Sequence, residues 1–207
     1  ARAGAGAGHP GEGGPGGRPR LAGSDLRVRL GAATELRAEL AHSTSDDPSR
    51  PESATAYVAE VKHVTERVDA RVYLREQESG FGLGQQLTTE DGTRKAGVDA
   101  RVKFAETYSA VTELFTIENL DTGADRLHAS TELRQEAAGY SYGAGLRYVE
   151  DSGTTSGDRR SEQAFVRGSV DLLDDRVTLR AGSDFTLGGR DASVDYPARS
   201  TVGLDYH

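Results

Sequence analysis

From Val68 the chain reads VDARVYLRE, and from Val98 it reads VDARVKF. Apolar and polar residues alternate one for one in both stretches. Val68, Ala70, Val72 and Leu74 oppose Asp69, Arg71, Tyr73 and Arg75, and Val98, Ala100, Val102 and Phe104 oppose Asp99, Arg101 and Lys103. A helix buries residues three or four apart, so a strict period of two specifies instead a strand with one apolar and one polar face. VTLRAGSDFTL repeats the pattern, with Val177, Leu179, Ala181, Phe185 and Leu187 against Arg180 and Asp184. The abundance of glycine, threonine and valine favours strands as well.

Carried along the chain, this periodicity predicts strands near 25–31, 34–43, 54–63, 67–76, 96–104, 108–119, 126–134, 139–149, 163–172, 177–187 and 199–207. Over 108–119 the faces are blurred, because Val111, Phe115 and Ile117 compete with Tyr108, Ala110 and Leu114. Short turns are expected at Ala32-Ala33, 64–66, 105–107, 135–138 and 173–176. Long polar links are expected over 44–53, 77–95, 151–162 and 188–198, with the shorter 121–125 on the same side. Short and long links alternate, as in an antiparallel up-and-down meander whose tight turns share one end. Residues 1–24, almost entirely Gly, Ala, Pro and Arg, bury too little to order and read as a flexible linker or outer loop ahead of a β-segment over 25–207.

Several classes of function are excluded by composition. With no cysteine there is no disulfide frame and no thiolate metal site. A net charge of −8 and a mean hydropathy of −0.59 argue against a nucleic-acid binder, which carries a basic face. No apolar run approaches the ~20 residues of a membrane helix, although alternating strands would hide a barrel from that test.

Chemical motifs are sparse. Gly80, Gly82 and Gly84 alternate within GFGLG, but a dinucleotide loop needs G-x-G-x-x-G opening a helix, and QQLTTEDGTRKAG follows. His9, His42, His63, His128 and His207 show no compact metal-ligand spacing. Ser130 and Glu132 lie near His128, as a polar strand face also places them, and no nucleophile elbow appears. EDGTRK, DTGADR and EDSGTTSGDRR lack the spaced carboxylates of a calcium loop and read as solvated links. The expectation is therefore no enzyme, no metal and no cofactor.

Alternating strands, short turns at one end and long links at the other resemble a bacterial outer-membrane β-barrel of the porin-like kind. The chain ends TVGLDYH, where Thr201, Gly203 and Tyr206 fit a closing-strand motif that stops short of its last aromatic. Either His207 precedes a missing residue or this is an internal strand of a longer barrel. Eleven strands would leave such a barrel at least one short, so the resemblance implies a fragment of a larger chain. The opening Ala1 and the lack of methionine fit a mature or excised piece, with any export signal upstream.

The resemblance further implies a transmembrane barrel in a Gram-negative cell envelope. It would act as a structural or pore-forming wall, a channel for passive passage of small solutes, with the outer-membrane lipid bilayer as its partner. The charges expected to face its lumen are Arg37, Glu39, Asp69, Arg71, Arg75, Asp99, Arg101, Lys103, Arg134, Arg147, Arg167, Asp171, Arg180 and Asp184, with Glu132 and Asp205 among their counter-charges. The alternative reading is a secreted or cell-surface soluble β-rich adhesion or interaction module, in which the Val/Leu/Tyr faces pack on a second sheet or a partner.

Overall fold

The structure, a computed structural model, describes residues 20–45, 53–82, 91–155, 157–174, 176–188 and 196–206. Most of the expected linker, Gly84 of the glycine motif, His9, His207 and much of three long links lie outside these residues. All eleven expected strands form: β1 (Arg20–Arg29), β2 (Thr34–Thr44), β3 (Ser53–Val64), β4 (Val68–Gln77), β5 (Thr93–Lys103), β6 (Tyr108–Asn119), β7 (Asp125–Ala137), β8 (Tyr140–Ser152), β9 (Arg159–Leu172), β10 (Val177–Gly188) and β11 (Arg199–Tyr206). β1 starts at Arg20, earlier than the expected Asp25, because LAGSDL extends the ladder on β2 up to the Arg20–Thr44 pair.

The strands form one sheet in sequence order, β1 to β11. Registers are antiparallel, as in Arg27–Arg37–Glu60 across β1, β2 and β3 and Gly143–Arg167–Gly182 across β8, β9 and β10. The tight turns are short, as expected. Gly139 at φ 78° turns β7 into β8, and Leu173 and Asp174, at φ 55° and 53°, begin the turn from β9 to β10. Both take the left-handed backbone, a conformation strained for leucine.

The order does not return on itself. Among the described residues β1 pairs with β2 alone and β11 with β10 alone, so the sheet is open at both ends. This overturns the barrel. An open edge carries a row of unpaired N–H and C=O groups, and hydrocarbon offers them no partner. The outer-membrane resemblance, the transmembrane strands, the porin channel, the bilayer partner and the outer-membrane location all depended on closure and are corrected together. The expectation of a missing strand, drawn from the even strand number of closed barrels, loses its premise.

Contacts among the described residues fall into two compact units. One contains the chain up to Val64, Arg71–Gly97 and Ile117–Ala124, and the other Thr65–Ala70, Val98–Thr116 and Asp125 onward. Where burial alternates along a strand, as on β4 and β7 to β9, the polar face is the better covered. In the first unit, Val72 is 52% exposed and its neighbour Tyr73 only 4%. In the second, Leu133, Leu146, Val166 and Leu204 are exposed, whereas His128, Glu132, Asp151, Ser161, Gln163 and Thr178 are buried. Few apolar side chains are fully enclosed: Ala54 and Tyr73 in the first unit, Val149 and Phe165 in the second. The interior is largely polar and is held by hydrogen bonds and ion pairs.

Candidate binding face

In the second unit the register of β7 to β11 sets the polar side chains on a grid. One row reads Arg134, Gly143, Arg167, Gly182, Thr201; the next reads Glu136, Ser141, Ser169, Arg180, Gly203; on the other side lie Glu132, Gly145, Phe165, Asp184, Arg199. Directly opposed residues point to the same side of a sheet, so each row crosses one face. Large side chains alternate with glycines. This is a packing requirement at two positions. A Cβ on Gly145 would strike the Thr131 carbonyl oxygen and the Phe165 ring, and one on Gly143 would strike the Glu132 carboxylate.

Phe165 lies across Gly145 with Arg147 and Arg167 against its ring, the guanidinium carbons 5.1 and 4.6 Å from the centroid. Arg147 also meets the Tyr196 ring at 5.1 Å, donates to Gln163 Oε1 at 3.1 Å and pairs with Asp184 at 3.7 Å. Gln163 Nε2 donates to the Tyr196 carbonyl at 2.6 Å. The Tyr196 segment thus covers Gln163, 1% exposed, and its ring sits 6.0 Å from that of His128, which stacks on Phe115 at 4.7 Å. Among the described residues Ser161 Oγ is buried there with no hydrogen-bond partner.

Below this cluster a depression of about 310 Å³ opens between Glu132, Arg134, Glu136, Ser141, Ser169, Arg167 and Arg180. Arg134 donates to Glu132 Oε2 at 2.9 Å and to Glu136 Oε1 at 3.4 Å, and the Glu132 bond raises its guanidinium above the ordinary value despite burial. Arg167 Nε stands 3.5 Å from Glu132 Oε1, an oxygen that is buried and makes no hydrogen bond. Arg180 meets Asp205 through Nε at 3.1 Å. Ser141 and Ser169 share a hydrogen bond of 2.8 Å on the floor.

The other expected polar-face charges are placed as follows. Arg37 binds Glu39 at 2.5 Å, Arg71 pairs with Glu60 at 3.8 Å, and Arg101 reaches Glu136 at 3.8 Å. Arg71, Arg75 and Lys95 surround the Tyr73 ring at 5.0, 5.2 and 5.8 Å. Asp171 accepts from Thr178 Oγ1 at 2.7 Å, and Asp184 also meets Arg199 at 3.4 Å. Asp69 and Lys103 are exposed and Asp99 half-buried. The structure therefore gathers Arg134, Arg167 and Arg180 at one depression and Arg147 and Asp184 beside it, and leaves Arg37, Glu39, Arg71 and Arg75 in the first unit. The glycine positions and Tyr196 escaped the sequence reading. YSYGAGLRY does carry a readable signal, since Gly143 and Gly145 fall two apart on the face that Arg147 marks as polar.

The opposite face of β7 to β11 is mainly apolar, broken by Thr131, Gln135 and the hydrogen-bonded pair Ser183 and Ser200. Ala137, Tyr140, Val170, Leu179 and Leu204 form one row, and Gln135, Tyr142, Gly168, Ala181 and Val202 the next. Its charges, Asp125, Glu150, Arg160 and Glu162, gather at the end with the long links, where Tyr148 donates to Glu150 at 2.6 Å and Arg160 pairs with Glu162. In the first unit a similar border closes the apolar side: Tyr57 donates to Glu76 at 3.0 Å, and Arg94 joins Glu76 at 2.5 Å to Glu118 at 3.3 Å. Among the described residues no group of three or more His, Asp or Glu is arranged to hold a metal ion. Compared with known protein families and with curated proteins, the chain matches no family model and no curated sequence.

Proposed function

We propose that the chain is a β-rich adhesion or interaction module that works by sheet-on-sheet contact, with the apolar face of β7 to β11 meeting the same face of a second copy. The observation that carries this reading is the exposure of that face: Leu133, Leu146, Val166, Leu179, Val202 and Leu204 all stand open in the single chain. Burying a side chain of this kind is worth roughly 1.5–3 kcal/mol, so an uncovered row of them favours association. Five strands about 4.8 Å apart and about 35 Å long present roughly 800 Å², which is about what each partner contributes to a standard interface. Two such faces stack about 10 Å apart in a sandwich. A net charge of −8 opposes self-association in general, but the charges of this face sit at one end of it and are largely paired.

The test is sedimentation velocity on residues 1–207 and on the V166K/L204K variant. Both substitutions fall on exposed positions, so far-UV circular dichroism should be unchanged. The wild type should show a concentration-dependent dimer and the variant a monomer. A wild type that stays monomeric to about 100 µM, or a variant that dimerises equally well, sinks the proposal.

A further inference from the structure

The depression on the polar face of β7 to β10 has no part in that contact, and it has the make-up of a small-molecule site. We infer that it binds a monosaccharide-sized organic anion, a carboxylate with neighbouring hydroxyls, held by Arg167 and Arg180.

Three facts carry the assignment. The first is space. At about 310 Å³ the depression lies at the low end of small-molecule sites, roughly 300–1,000 Å³. Its openness at the β10–β11 end follows from glycine: a Cβ on Gly203 would meet nothing within 4 Å.

The second is the state of the arginines. Arg134 is committed, bonded to both Glu132 and Glu136. Arg167 and Arg180 are not. Arg167 has half of its side chain in solvent, touches Glu132 only at 3.5 Å and sets its guanidinium carbon 4.6 Å from the Phe165 ring centroid. Arg180 is 63% exposed along its side chain and uses Nε alone on Asp205. Arg167 opposes Gly182 and Arg180 lies two residues beyond it, a diagonal of about 7–8 Å between backbones, so a carboxylate between the two side chains is within the span of both. A guanidinium fork matches that group with two parallel N–H donors.

The third is the polar floor. Ser141 and Ser169 present hydroxyls, and Glu132 Oε1 is an acceptor buried beside them without a hydrogen bond. That oxygen has essentially no exposed surface, so a ligand hydroxyl would reach it only as Arg167, 3.5 Å away, moves aside; the half-exposed Glu136 carboxylate is the open acceptor for a hydroxyl. Sulfate has no such donor, and neutral sugars have nothing for the arginine pair. This assignment stands or falls separately from the dimer, since the two use opposite faces.

Isothermal titration calorimetry of the whole chain with glucuronate, glucose and sulfate tests it. Glucuronate should bind at least tenfold more tightly than either of the others. R167Q and R180Q should each weaken it about tenfold or more, and R199Q, outside the depression, should not. Amide resonances of Ser141, Gly143, Ser169 and Gly182 should shift on titration in the wild type, and unperturbed spectra of the free variants establish that they fold. Equal binding of glucuronate and sulfate, no preference for glucuronate over glucose, or full affinity in the R167Q/R180Q double variant overturns the inference.

Discussion

Gly145 offers the sharpest test of the grid on β7 to β11, because the obstacle to a side chain there is partly backbone. Gly145→Ala adds one methyl group. Its Cβ would fall well inside contact distance of the Thr131 carbonyl oxygen, which belongs to the β7–β8 ladder, and of the Phe165 ring, which Arg147 and Arg167 both contact. A ladder carbonyl cannot turn away as a side-chain tip can. Forcing a methyl into a packed site costs about 1–3 kcal/mol, and removing a strand glycine returns only about 0.5–1 kcal/mol. The net expectation for G145A is therefore a loss centred on about 1 kcal/mol, within a span of about 0–2.5 kcal/mol. Gly203→Ala is the matched control: it has the same chemistry on β11, with no atom near the new Cβ. It should gain about 0.5–1 kcal/mol. For a chain of this size each kcal/mol moves Tm by about 2–4 °C, so the pair should separate by several degrees in opposite directions. Urea and thermal unfolding followed by circular dichroism measure this. If G145A is as stable as G203A, Phe165 does not lie over Gly145 and the packing argument fails.

Two further outcomes are expected. Leu173 and Asp174 adopt left-handed backbone at a turn where Leu173 is 71% exposed and packs little, so L173N, which takes that backbone with less strain, should gain about 1 kcal/mol; an unchanged or lowered urea midpoint would count against the left-handed backbone at this position. Burial, and then its bond to Glu76, raise the Tyr57 hydroxyl above its ordinary value against a smaller opposing effect of Arg94. The stability this gives is full below the unfolded value near 10 and is lost as pH rises through the higher folded one. The urea midpoint of the wild type should therefore fall more steeply above pH ~10 than that of Y57F, and parallel curves would refute the assignment.

The local order of this fold was legible, and its global closure was not. VDARVYLRE states which residues share a face, and Val72 and Tyr73 do part company as the alternation requires. Nothing in that alternation says whether the first strand meets the last, because closure depends on strands far apart in sequence, β1 and β11. The same pattern of short and long links suits an open meander and a barrel alike. The arginines of the depression were legible as polar-face residues at 134, 167 and 180. That Arg134 is committed and the other two are not depends on Glu132 and Glu136 being two residues away on its own strand and on Gly143 leaving room beside them. Tyr196 was hidden for a simpler reason. It lies in a stretch of glycine and aspartate that reads as solvated link, and its contact with Gln163 spans 33 positions.

The polar interior has a thermodynamic consequence. Unfolding raises heat capacity mainly by hydrating apolar surface, and newly hydrated polar surface lowers it. In the single chain, many of the residues that would hydrate apolar groups on unfolding are already wet in the native state, while unfolding would newly wet Gln163, Ser161, Glu132 and Asp151. The heat-capacity increment of the lone chain therefore falls below the usual ~12–15 cal/mol/K per residue, and its stability changes only gently with temperature, in the cold as in the warm. Dehydration of the Leu and Val rows belongs to whatever covers them. In the proposed dimer the calorimetric signature that most proteins show on folding would be deferred to assembly.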